Sequence, residues 1–159
     1  SKHTKSIASY AMEHLSTIPE ISIYGDPDLP RVGAISFNIA NLDHGLLAVI
    51  LSDYYAIAVR NACFCAHPYV RSLLKCELWD LDLDGIPEDQ VENYINRKRG
   101  MVRVSFALYT TNEDIDYLVK CIKEIINNIK ELKTNYNVNY DGDYYHNSFS
   151  PEWRKFFNP

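Results

Sequence analysis

Residues 60–68 read "RNACFCAHP", an arginine, two cysteines and a histidine within nine positions. Several chemistries are open to such a segment. Cys63, Cys65 and His67 alternate, so an extended backbone would aim all three to one side as three zinc ligands. Structural zinc also asks for a fourth ligand and a C-x2-C spacing, and neither is evident. A Cys63–Cys65 disulfide would close a loop too tight for the required geometry. Free cysteine is among the most buried residue types, so core packing is its ordinary role, above all for Cys76 and Cys121. The remaining role is a nucleophile. Thiolates are stabilised by nearby cations or a helix N-terminus, and Cys65 stands three residues before Pro68 and five after Arg60.

The arginines are informative through parity. In "IAVR" (57–60) the larger apolar residues Ile57 and Val59 share a face, which turns Arg60 to the other. In "MVRVSFAL" (101–108) Val102, Val104, Phe106 and Leu108 form the core face, so Arg103 also points away. Two strands of one sheet would then present both guanidiniums opposite the core. A planar guanidinium fork suits a carboxylate or phosphate; the plainer alternative is two solvated arginines. "DLDLDG" (80–85) begins like a calcium loop, but its twelfth position is Val91 where Glu is needed, and Pro87 interrupts it. A solvated acidic loop is the default there.

The surrounding pattern supplies the elements that must position these groups. Residues 4–16 place Ile7, Ala8, Ala11 and Leu15 on one helical face. "ISIYG" (21–25) reads as a short strand, "GDPDLP" as a turn, and "RVGAISFNI" (31–39) as a half-buried strand with Ile35, Phe37 and Ile39 inward. Asp43 caps a helix to about Tyr55; "IAVR" is a short strand; Pro68 opens a short helix to Leu74. Residues 76–86 are irregular, and Pro87 to Arg97 form an exposed helix whose basic end, "NRKRG", is solvated. Residues 101–108 are a strand. Thr110 with Glu113 reads as a capping box before a long helix with Ile115, Leu118, Val119, Ile122, Ile125, Ile126, Ile129 and Leu132 on one side. The implied fold is an α/β small domain: a small, mostly antiparallel sheet with helices mainly on one face. Residues 1–135 form this domain. Residues 136–159 are an aromatic-rich tail, ending in "SPEWRKFF", which is expected to wrap its own domain.

Composition limits the function classes. The chain has 159 residues, 47% of them hydrophobic and 23% charged, as in an ordinary folded domain. A net charge of −5 without a dense basic run points away from nucleic acid. No apolar run reaches the length of a membrane span, and no signal peptide is expected. Four cysteines are too sparse for a disulfide scaffold, which fits a reducing, cytoplasmic setting.

"RVGAISFNI", a helix, "IAVRNACFCAHP" and "GMVRVSFALYTTNEDIDYLV", in that order, closely resemble the C-terminal domain of class V aminotransferase-fold enzymes. This is the pyridoxal-phosphate-dependent group that includes cysteine desulfurases and selenocysteine lyases. The resemblance runs from about Lys5 to Glu131. It implies that Arg103 binds the substrate α-carboxylate, that Arg60 is a second arginine near the substrate, and that Cys65 is the nucleophile that takes sulfur as a persulfide. It implies an amino-acid substrate, L-cysteine or a similar one, and a homodimeric parent.

The chain also departs from that pattern. Ala62 stands where the family often has Gly, and a backbone needing positive φ there would be strained. His67 replaces other residues, and the stretch from Cys76 to Arg99 is longer than in compact desulfurases, an insertion that could reshape the pocket mouth. The family's cofactor lysine follows a histidine, and none of the five histidines here is followed by lysine. The resemblance therefore covers only the small domain. It implies that the large, lysine-bearing domain is missing, that no cofactor binds to this fragment, and that the fragment alone does not catalyse. Two other readings stand beside the desulfurase: transamination or a lyase reaction with Cys65 a bystander, and a stand-alone interaction domain that binds a partner through its tail. Sulfide release separates the first, and the length of the natural reading frame the second.

Overall fold

The computed structural model describes residues 2–26, 29, 31–75, 81–139 and 141–148. In chain order the helices are α1 (Lys2–Leu15), α2 (His44–Tyr55), α3 (His67–Leu74), α4 (Val91–Lys98) and α5 (Asn112–Thr134). The strands are β1 (Ile21–Tyr24), β2 (Ala34–Ile39), β3 (Val102–Ser105), β4 (Tyr136–Val138) and β5 (Tyr144–His146). β1, β2 and β3 form an antiparallel sheet in that order, while β4 and β5 form a separate hairpin. The mixed α/β architecture expected from the alternation of patterns is therefore present.

Register explains how the sheet has two unlike faces. Ile23 pairs with Phe37, Phe37 with Val102, and Ile35 with Val104. Cross-strand partners share a face, so these apolar residues make one layer, and Ile35, Phe37 and Val102 have no exposed surface. The other face carries the row Tyr24, Ser36, Arg103. Helices α1 and α2 lie on the apolar face, and α5 packs against both. Their inward stripes, such as Ile115, Leu118, Ile122 and Ile125 of α5, join the strands in one core.

Helix ends follow local chemistry. The Asp43 carboxylate accepts from the Gly45 N–H at 2.8 Å, which caps α2 as expected. The capping box of α5 sits one residue later than the sequence suggested. Thr111 accepts from the Asp114 N–H, and the Asp114 carboxylate accepts from the Thr111 N–H at 2.9 Å. Thr110 is not free for that role, because its hydroxyl already accepts from the Ala107 N–H at 2.9 Å.

That same turn corrects the strand at 101–108, which ends at Ser105. Leu108 is 72% exposed rather than part of the core. "IAVR" is not a strand either. The Ile57 N–H returns to the Leu51 carbonyl at the end of α2, and pairing with β3 begins only at Arg60. The exposed helix expected over 87–97 is a 3-10 turn at Glu88–Gln90 followed by α4. Its basic end is not simply solvated, because Arg99 is buried. Asp80, the first residue of the calcium-like loop, lies outside the described residues, as do Cys76 and "SPEWRKFF".

Residues 136–139 and 141–148 of the expected tail fold back on α2. The Tyr136 hydroxyl donates to Asp53 at 2.8 Å, and the Tyr54 hydroxyl meets Asn135 and His146 at 3.0 and 3.1 Å. Burial first, and then the bond to Asp53, raise the Tyr136 phenol above its usual value of 10.0. The fold thus favours the neutral phenol. This contribution is complete below pH 10.0 and falls as pH rises above it, where the unfolded chain ionises first. Urea unfolding at about pH 8 and about pH 11 is expected to show a smaller loss of stability in Tyr136→Phe than in the wild type. Among the described residues, no helix is long and apolar enough to cross a membrane.

Candidate functional site

Arg60 and Arg103 are directly paired. The Arg60 N–H donates to the Arg103 carbonyl at 3.1 Å, and the Arg103 N–H to the Arg60 carbonyl at 2.7 Å. Such a pair projects both side chains to one face. The polar row of the sheet therefore reads Tyr24, Ser36, Arg103, Arg60. Parity placed both arginines opposite the core from sequence alone, and the bridge has that arrangement even though "IAVR" is no strand. Two cations side by side repel each other, and no carboxylate pairs with either among the described residues. The Nε of Arg103 is buried without a hydrogen-bond partner.

The cysteine segment follows at once, and its backbone is unusual. Ala62 has φ 77°, Phe64 53° and Cys65 60°. The Ala66 N–H donates to the Cys63 carbonyl at 2.8 Å, closing a tight turn with Phe64 and Cys65 at its centre. This turn, rather than an extended backbone, decides where the thiols go. Cys63 is buried and its Sγ–H donates to the Arg99 carbonyl at 2.7 Å, whereas Cys65 is exposed. The one-sided array of Cys63, Cys65 and His67 that an extended backbone would make, already disfavoured by the spacing, is not formed. Burial pushes the Cys63 thiol up, against a smaller opposing effect of the Arg99 charge, so Cys63 stays a protonated, packed neighbour. Cys121 lies in the core, its thiol likewise raised by burial.

Phe64, which the sequence reading passed over, joins the two halves of the site. Its ring lies under the Arg103 guanidinium, 4.9 Å from Cζ. A cation–π contact of this kind contributes about 0.5–2 kcal/mol and leaves the edges of the guanidinium for another ligand. The only hint in the sequence was an aromatic residue between two cysteines; the contact depends on the left-handed turn.

Ala62 occupies the position where the sequence raised the issue of positive φ, and φ there is indeed positive. An L-residue in this conformation is strained by roughly 1 kcal/mol. Ala62→Gly is expected to stabilise the chain by about 0.5–1 kcal/mol, read as a higher urea midpoint at unchanged slope. Gly100 shows the reverse constraint: a Cβ there would stand 2.1 Å from Nε2 of the buried His44 ring.

Compared with known proteins, residues 1–118 match the family model described as aminotransferase class-V. A cysteine desulfurase of Salmonella agona is 33% identical over 116 residues, covering 73% of this chain and 22% of its own. One from Escherichia coli is 29% identical over 124 residues, covering 78% of this chain and 24% of its own. Among solved structures, an apo cysteine desulfurase from Thermococcus onnurineus NA1 matches with a TM-score of 0.59 at 25% identity, covering 79% of this chain and 26% of that one. The chain thus spans about a quarter of the length of the curated relatives it matches.

Proposed function

Because the chain belongs to the aminotransferase class-V family, we propose that it is the C-terminal small domain of a cysteine desulfurase-like enzyme acting on L-cysteine or a similar amino acid. The observation that carries this reading is the Arg60–Arg103 pair beside the Cys65 turn, tied together by Phe64. Arg103 binds the substrate carboxylate through two parallel N–H···O bonds. Arg60, more exposed, adds charge to the same face. Binding an anion there also relieves the repulsion between the two cations.

Cys65 is the sulfur acceptor. Its thiolate forms an S–S bond to the substrate sulfur while the carbon–sulfur bond of the substrate breaks; the carbon takes a proton and leaves as alanine. The thiol is solvent-exposed on a tight turn, so the persulfide can then be passed to an outside acceptor. Pyridoxal phosphate supplies the electron sink that such carbon–sulfur cleavage needs. The residues on this chain do not fit that cofactor by themselves. The groups on this face are guanidinium, hydroxyl and thiol, with no amine for its aldehyde, and no histidine is followed by a lysine. The cofactor therefore belongs to a large domain outside this chain, in a parent that is a homodimer. Sulfide and alanine measured from L-cysteine with the full-length parent test the reading. Absence of both, with the cofactor bound, overturns it.

A further inference from the structure

A second concentration of positive charge lies between α3 and the end of α4. Arg99 is only 8% exposed, and its Nε and Nη2 are buried with no hydrogen-bond partner among the described residues. Its backbone is held at both ends. The N–H donates to the Ile95 carbonyl at 3.0 Å, and the carbonyl accepts from the Cys63 thiol. The side chain lines a cleft of about 250 Å³ together with Arg71, His67 and Asn96, and no carboxylate is among its described lining residues. Helix α3 starts at the same cleft without a side-chain cap; Pro68 has no N–H and the Val70 N–H is bonded to the Ala66 carbonyl, which leaves those of His67 and Tyr69 in the first turn.

A buried guanidinium with unpaired donors is costly unless an acceptor completes it. We propose that this cleft binds an oxyanion, the carboxylate or phosphate group of a small molecule, with Arg99 as the central donor and Arg71 and Asn96 at its margin. The cleft has room for such a group together with several waters. The site is distinct from Arg60 and Arg103, and it does not rest on the desulfurase reading.

The test is a titration of the full 159-residue chain with sodium phosphate and, separately, sodium acetate, at ionic strength held constant with chloride. Arginine side-chain N–H signals and the backbone amides of Cys63, His67 and Asn96 are followed by NMR. Saturable shifts at these positions support the site, and the anion that saturates identifies the group. Arg71→Gln is expected to weaken binding about tenfold, with Lys133→Gln, on the exposed side of α5, as a control that leaves it unchanged. Arg99→Gln should abolish binding. If that variant does not fold, Arg71→Gln still decides. No saturation by either anion, undiminished binding in Arg71→Gln, or equal weakening in Lys133→Gln overturns the proposal.

Discussion

Arg103→Ala in the full-length parent is expected to lower kcat/KM for L-cysteine by roughly 10²–10³-fold, corresponding to about 3–4 kcal/mol of lost binding. A charge-assisted bidentate pair in a partly dry site is among the strongest polar contacts available to a protein. Arg103 is prepared for it: the guanidinium rests on Phe64, and its Nε lacks a competing partner. Arg103→Lys should recover little, since an ammonium cannot reproduce the planar fork or the stacking. Arg60 is more exposed, so Arg60→Ala is expected to cost about tenfold or less, in line with solvent-screened charges. Steady-state kinetics on the three variants check this ordering. An unchanged KM for L-cysteine in Arg103→Ala removes Arg103 from the binding site.

The parts of this molecule that were legible in advance share one property: each depends on a short-range period. Alternation in 34–39 and 102–105 separates Phe37 and Val104 from Ser36 and Arg103, whatever the rest of the chain does. The stripe on α5 and the Asp43 cap are local in the same way. Boundaries were less legible, because competing hydrogen bonds decide them. Thr110 serves Ala107, which moves the cap to Thr111, and the same turn leaves Leu108 in solvent. The site required long-range information. That Cys63 is buried while Cys65 is exposed follows from a left-handed turn at Phe64, and non-glycine residues give little warning of such a turn. Ala62 was the exception, because resemblance to the family supplied the glycine it replaces. The burial of Arg99 was hidden by its place in "NRKRG", where it reads as one more surface charge.

Cys65→Ala should be the more severe loss, with sulfide release falling by roughly 10³-fold or more while alanine variants elsewhere leave it measurable. The substitution is clean for a structural reason. Cys65 has φ 60° and an exposed side chain, so alanine keeps the same Cβ, the same backbone strain and no cavity. The neighbouring contacts, Phe64 on Arg103 and the Cys63 thiol on the Arg99 carbonyl, do not involve the Cys65 sulfur. KM for L-cysteine should therefore stay close to wild type while turnover collapses, the opposite split from Arg103→Ala. Mass spectrometry of the parent after brief exposure to L-cysteine should find one added sulfur on the peptide holding Cys65 and none on the one holding Cys121. Cys63→Ala tests the neighbour. Its thiol is buried and held protonated, so it is expected to lose stability by about 1–2 kcal/mol and to retain sulfur transfer. If Cys63→Ala stops sulfide release and Cys65→Ala does not, the acceptor is the buried thiol, and the turn would have to open in each cycle to expose it.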